Sequence, residues 1–316
     1  MLLEKASPHV PLVLDLDGTL IHTDTFHEMM AALLRRRPWD LLKLPFWLLK
    51  GRPFAKARLV ESISLDPACL PYNARVLEFA KAEVKQGRPL LLATGSHQTI
   101  ADQIATHLGL FQEVLGSSDG VNLTGPHKKH ALLERFGAHG FDYMGDSRID
   151  GHIWEVARHA LVAHPKWGVL RRAKALRGSE NVTCFHRDTH RLKALVLSLR
   201  PLFWVWSLLT FSWEVGIALA LFSSGLLIAG DLLSLERERK HPLSPKSAFA
   251  AGQLHLITGF ILAPLFILPS LWMVPGLFLY APLFMGADWG TRLSPPLLRW
   301  LLLSLLQILS ILLLTL

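Results

Sequence analysis

At 316 residues and a net charge of +8, the chain is long enough for two domains, and its charges are too unevenly spread for one soluble domain. Of the 33 Lys and Arg and 25 Asp and Glu, residues 197–316 hold only seven and five, so 1–196 reads as a soluble domain and 197–316 as a membrane domain. No nucleic-acid motif accompanies the basic excess, which fits an anionic lipid surface instead, and Cys69 and Cys184, far apart and outside any CxxC, exclude a zinc site or a disulfide framework.

Residues 1–10 carry no basic-then-apolar leader, so the first domain is expected to stay in the cytoplasm. The first strong signal is Val10–Thr19, an apolar run Leu12–Leu14 ending in Asp15 and Asp17. Two carboxylates that close repel each other and lose hydration, and a divalent cation at the carboxyl end of a buried strand would relieve both costs. Gly18 allows a sharp turn after the pair, and Thr19 is a candidate cap for the next helix.

Residues 24–64 show two apolar stripes, Met29, Met30, Leu33, Leu34 and then Leu41, Leu42, Leu44, Trp47, Leu48, Leu49, broken by Pro38 and Pro45. They predict two or three short helices ringed by Arg35, Arg36, Arg37, Lys43, Lys50 and Arg52. Two readings stand side by side: a helical cap packed on the core with a solvated basic rim, and a cap whose basic, aromatic face meets lipid headgroups. A linker over 65–72 leads to a helix over 73–86 ended by Gly87. A second buried strand, 89–93, runs into Thr94-Gly95-Ser96 and a helix over 97–108, and such a hydroxyl-rich strand end can hold phosphate oxygens.

A third strand is expected at 111–115 and a helix at 131–136, with Lys128 and Lys129 just ahead of it. Chemistry alone leaves either lysine open. Phe141–Asp150 is a short strand running into Gly145 and Asp146, with Asp150 four residues on, so Asp146 and Asp150 complete an oxygen-rich set suited to Mg2+. A further strand at 161–163 and a basic helix at 167–176 follow.

The ordered set Asp15-x-Asp17-Gly-Thr, Thr94-Gly-Ser, Lys128 and Gly-Asp146-x-x-x-Asp150 resembles the haloacid dehalogenase (HAD) superfamily of phosphohydrolases over residues 8–165. The resemblance implies an α/β Rossmann-like domain over 1–190 with a small helical cap at about 24–72. It implies Asp15 as the nucleophile that forms an aspartyl-phosphate and Asp17 as the general acid and base. Thr94 and Gly95 would bind phosphate, and Lys128, favoured by its spacing from Gly125, would steady nucleophile and phosphate. Asp15, Asp17, Asp146 and Asp150 would hold Mg2+.

Beyond Arg200, residues 201–230 contain one charge, Glu214, while 256–287 and 300–316 contain none. They predict an interfacial helix at 201–211, a span from Trp213, a hairpin over 256–287 and a span over 297–316. The stretch 229–242, with 199–204 and 249–252, resembles the UbiA family of membrane prenyltransferases, which implies an all-α transmembrane domain over 197–316 and a second, prenyl diphosphate site at Asp231 and Glu238. Gly230 and Ser234 stand where that family has Asn and Asp.

The expectation is a Mg2+-dependent phosphatase in the inner membrane, its first domain cytoplasmic, acting on a phosphorylated small-molecule or lipid-linked substrate and on no nucleic acid. The alternatives are a UbiA-type prenyltransferase and a non-catalytic partner of one.

Overall fold

The computed structural model describes residues 10–118, 122–165, 167–186, 204–205 and 213–240, in two compact units, Met1–Asp188 and Thr189–Leu316. The first unit is built on six strands: β1 (Leu12–Leu14), β2 (Leu90–His97), β3 (Glu113–Ser117), β4 (Asp142–Gly145), β5 (Ala160–Ala163) and β6 (Val182–Phe185). They form one parallel sheet in the order β3-β2-β1-β4-β5-β6. The order reverses at β1, which puts the crevice outside the carboxyl ends of β1 and β4 where ligands bind in open α/β sheets. This is the Rossmann-like architecture expected, with β6 added. That strand is short and only half-buried, so its four residues carry no apolar run to announce it.

Both faces of the sheet are covered, so β1 and the stretch Leu90–Ala93 of β2 are apolar at every position. Leu12 and Leu14 of β1 pair with Leu90 and Leu92 of β2 and face one core, while Val13, Leu91 and Tyr143 face the other. The first core takes side chains from α4 (Ala74–Lys85) and α5 (Gln98–Leu108). The second takes Leu132 of α6 (Pro126–Phe136), Ile153 and Trp154 of α7 (Gly151–Trp154), and Val169 and Ala173 of α8 (Val169–Arg177). Helix α6 starts five residues ahead of the expected 131, because Pro126 sits at its first turn, where a missing N–H costs nothing.

Between β1 and α4 lies the insertion: α1 (Thr25–Arg36), a 3-10 helix at Pro38–Lys43, α2 (Leu44–Leu49) and α3 (Arg52–Ser62). Its inner residues Met29, Leu33, Leu44, Leu59 and Ile63 join the first core. Asp24, not Thr19, caps α1, its side chain accepting the Phe26 N–H at 2.8 Å. Thr19 is instead buried in the turn that precedes the insertion. The root of the insertion is tied by two backbone bonds of 2.9 Å, His22 N–H to Pro71 O and Asn73 N–H to Leu20 O.

In the second unit the described residues are Trp204–Val205 and one helix, α9 (Trp213–Lys240). The charged stretch after Gly230 is helical through Lys240, since neither Gly nor Pro interrupts 231–240. Helix α9 carries Ser223, Ser224, Gly225, Gly230 and Asp231 within its length and Glu236–Lys240 at its end. Among the described residues no helix is long and apolar enough to cross a membrane, so α9 is not the span expected from Trp213. Asp231 and Glu238 both lie on α9, Asp231 with its side chain buried. The runs 256–287 and 297–316, and the UbiA-like stretches 199–203 and 249–252, lie outside the described residues.

Candidate active site

Strand β1 delivers Asp15 to the crevice, and the Asp15 N–H continues the ladder to Met144 O of β4 at 2.9 Å. The two strands that carry acidic ends are therefore direct neighbours. One oxygen from each of Asp15, Asp146 and Asp150 lies within 4.8 Å of the other two, and all three residues are buried. Two glycines make that approach feasible. A Cβ on Gly18, whose φ is +78°, would lie 2.4 Å from Asp146 Oδ2, and one on Gly145 would lie 2.6 Å from the Asp150 carboxyl carbon.

Lys128, in the first turn of α6, donates from Nζ to Asp15 Oδ1 at 2.7 Å and to the Tyr143 hydroxyl at 3.1 Å. Burial pushes the Asp15 carboxyl up to about 7, against the pull of the Lys128 ammonium. Burial works to lower Lys128, but Asp15 and Asp150 outweigh it and hold the lysine above its usual range. Lys129, its neighbour, turns outward to Glu155 at 2.9 Å. The geometry thus separates two lysines that residue chemistry alone leaves equivalent.

Asp150 is an organiser. Its Oδ2 accepts the N–H of Asp146 at 3.2 Å and the N–H and hydroxyl of Ser147 at 2.9 and 2.7 Å, while its Oδ1 accepts the Tyr143 hydroxyl at 2.9 Å. Burial first, and then Asp150 and Asp15, drive the Tyr143 phenol well above its normal range, so it stays a neutral donor.

Asp17 is placed differently from the other carboxylates. Its Oδ1 accepts the Thr25 N–H at 2.8 Å, and its Oδ2 accepts the Ser96 hydroxyl at 2.6 Å and the Thr25 hydroxyl at 3.4 Å. Its side chain therefore stands outside the group of three carboxylates and faces the root of the insertion. Burial again, then the nearby Asp24 charge, pushes it up to about 7. Thr94, fully buried on β2, accepts the Ser96 N–H at 3.0 Å. The Gly95 carbonyl accepts from Lys56 Nζ of α3 at 2.7 Å and from the Ser117 hydroxyl at 2.9 Å.

Asp15, Lys128, Asp146 and Asp150 are gathered into one cluster, and Asp17 joins Thr94 and Gly95 through Ser96. Asp231 and Glu238 belong to the second unit. Tyr143, Ser147, Thr25 and Lys56 are the partners that sequence reasoning missed. Tyr143 and Ser147 lie inside the Phe141–Asp150 stretch, but a strand tyrosine beside a core signals packing before chemistry. An all-oxygen donor set with three carboxylates against one ammonium matches the preference of Mg2+ for hard ligands.

A family model described as haloacid dehalogenase-like hydrolase matches residues 12–181. The uncharacterized protein y4nM of Sinorhizobium fredii (strain NBRC 101917 / NGR234) is 34% identical over 271 residues, 80% of this chain and 52% of that protein. The chain thus spans about half the length of the curated relative it matches. Among solved structures, a protein with unknown function from Bordetella pertussis Tohama I aligns at 16% identity and a TM-score of 0.43, covering 55% of this chain and 97% of its own. A phosphoserine phosphatase in apo form aligns at 14% identity and a TM-score of 0.39, covering 56% and 92%.

Proposed function

Because the chain belongs to the haloacid dehalogenase-like hydrolase family, we propose that it is a Mg2+-dependent phosphatase working through an aspartyl-phosphate on Asp15. The observation that carries this reading is the buried Asp15, 2.7 Å from the Lys128 ammonium and clustered with Asp146 and Asp150.

A carboxylate attacking a dianionic phosphate must overcome charge repulsion, and Lys128 offsets part of it at the nucleophile itself. Asp15 Oδ forms a bond to phosphorus while the bond from phosphorus to the leaving oxygen breaks, and Asp17 gives that oxygen a proton. Held at about 7 by burial, Asp17 keeps a proton to give near neutral pH. Water then attacks the phosphorus, Asp17 takes its proton, and the Asp15–phosphorus bond breaks to release inorganic phosphate. Thr94 and Gly95, in the last residues of β2, hold the phosphoryl oxygens. Asp15 and Asp146 would hold Mg2+, with Asp150 fixing the Asp146 loop, and the ion would supply charge neutralisation to the phosphate. Tyr143 steadies both Lys128 and Asp150.

The substrate class we infer is a phosphomonoester, either a small molecule or a phosphate linked to a lipid. The uncharged runs 256–287 and 300–316 support anchoring in a bilayer, and we place that anchor at the inner membrane with the hydrolase unit on the cytoplasmic side. The test is phosphate release from a panel of phosphomonoesters by the detergent-solubilised chain, with and without Mg2+. Release should require Mg2+ and fall to background in Asp15→Asn. Undiminished release by that variant refutes the assignment.

A further inference from the structure

Helix α2 is apolar all round and the 3-10 helix Pro38–Lys43 is apolar but for Asp40 and Lys43, and only the inner side of the pair is used. Leu44 is buried, and Leu41 and Trp47 pack against the first core. On the outer side Trp39, Leu42, Phe46 and Leu49 are 82, 69, 68 and 85% exposed. Their spacing of three, four and three residues places them along one helical face. A contiguous exposed patch of this kind marks an interaction surface rather than scattered surface apolarity.

Its rim carries one sign of charge. Arg35, Arg36 and Arg37 end α1, Lys43 sits between the two short helices, and Lys50 follows α2. The single acidic residue among them, Asp40, is turned inward and bonded by Arg37 at 2.6 Å and Lys43 at 2.7 Å. Nothing acidic in this stretch therefore opposes a negative partner.

We propose that this face of the insertion docks onto an anionic lipid surface. Trp39 and Phe46 would enter the headgroup boundary and the basic rim, with four net positive charges once Asp40 is counted, would meet lipid phosphates, a combination that apolar contact plus charge makes stronger than either alone. A membrane suits the patch better than a folded protein partner for a further reason. The same chain carries uncharged runs of membrane-spanning length at 256–287 and 300–316. The inference deepens the membrane part of the proposed function and rests on it for the presence of a bilayer. The insertion also roofs the site, since Lys56 of α3 bonds the Gly95 carbonyl. Docking would thus hold the mouth of the site at the bilayer, where a lipid-linked phosphate is found.

The experiment uses the whole 316-residue chain with an environment-sensitive fluorophore on Leu49→Cys or, as a control, on Glu134→Cys, an exposed position of α6. Cys184→Ser removes the half-buried native thiol, and Cys69 is buried. Labelled protein is reconstituted into nanodiscs of phosphatidylcholine alone or with phosphatidylglycerol, some lipids carrying a quencher. Position 49 should be quenched with phosphatidylglycerol and much less without it, while position 134 stays unquenched. On phosphatidylglycerol vesicles, Lys43→Gln with Lys50→Gln should weaken the contact by about thirtyfold. A solvent-exposed label in both discs overturns the proposal. So does quenching indifferent to lipid charge, or a blue shift that lipid quenchers do not touch, which would place a second copy or another part of the chain on the patch. A chain that fails to reconstitute refutes the anchoring instead. It is then added to preformed vesicles of the same two compositions, where quenching of the same label supports docking and its absence overturns it. Phosphate release measured on the same samples keeps failure of the phosphatase reading separate from failure of docking.

Discussion

Lys128 and Lys129 are neighbours of identical chemistry, and the structure assigns them opposite consequences. Lys128→Met removes an ammonium whose side chain is 5% exposed and which lies 2.7 Å from a carboxylate that is 11% exposed. Deleting one partner of a buried pair costs about 3–5 kcal/mol. The lower end applies here, because Asp15, already pushed by burial to about 7, can take up a proton and shed its stranded charge. Catalysis cannot recover that way. The protonated carboxyl is not a nucleophile, and losing one preorganised cationic donor at the reacting group is worth about 2.7–4 kcal/mol, or roughly a hundred- to a thousandfold in rate. Lys129→Met breaks a pair whose side chains are 29 and 37% exposed, worth about 0–1 kcal/mol. The assay is kcat/KM for a chromogenic phosphomonoester in the presence of Mg2+, with the thermal midpoint of each variant measured in the same detergent. Lys128→Met should fall by about two to three orders of magnitude and Lys129→Met should stay near the parent. A Lys128→Met enzyme of near-parental rate, or a Lys129→Met enzyme equally impaired, would refute the reasoning.

Gly18→Ala places a side chain at φ +78° and a Cβ 2.4 Å from Asp146 Oδ2. It should cost about 1–2 kcal/mol in the backbone alone and, by displacing the Asp146 carboxylate, lower kcat about a hundredfold; a parental rate would show that the turn tolerates the methyl. A different buried charge sets the acid limit of the fold. Asp142 is buried, which raises its pKa, but Arg158 and Arg88 outweigh burial and hold it below the usual carboxylate range. A folded-state pKa below the unfolded value contributes stability at pH above about 4, and this is lost as the pH falls through the folded pKa. The thermal midpoint should therefore decline in that acid range. Asp142→Asn should flatten the decline and lose about 1–3 kcal/mol at neutral pH, the smaller loss because Arg88 keeps Glu83 at 2.7 Å and the Val10 carbonyl at 2.8 Å; an unchanged acid slope would place the titrating group elsewhere.

The strand-end carboxylates are legible in the sequence because burial and paired negative charge are hard to reconcile without chemistry, and Asp15, Asp146 and Asp150 do meet. The lysine is not legible from chemistry, because the apolar pattern of α6 begins only after its true start. With Pro126 opening the helix, Lys128 falls in its first turn, and successive residues there point about 100° apart, one inward and one outward. Tyr143 is hidden by a different rule. Pairing with Val13 puts it on the second core, and only its hydroxyl reaches Lys128 and Asp150.

Asp17 shows where strand periodicity stops being a guide. Two residues on from Asp15, it would share that residue's direction if β1 continued, yet β1 ends at Leu14 and the chain already turns at Leu16. Its oxygens are held instead by Thr25 at the start of the insertion and by Ser96 of β2. The residue that would move the proton is thus bonded at once to the sheet and to the first helix of the cap. A shift of α1 relative to β2 must stretch one of those bonds, altering the environment that keeps Asp17 near 7. If lipid holds the outer face of the insertion, the position of α1 is fixed at the bilayer, and the proton donor of the site is set along with it.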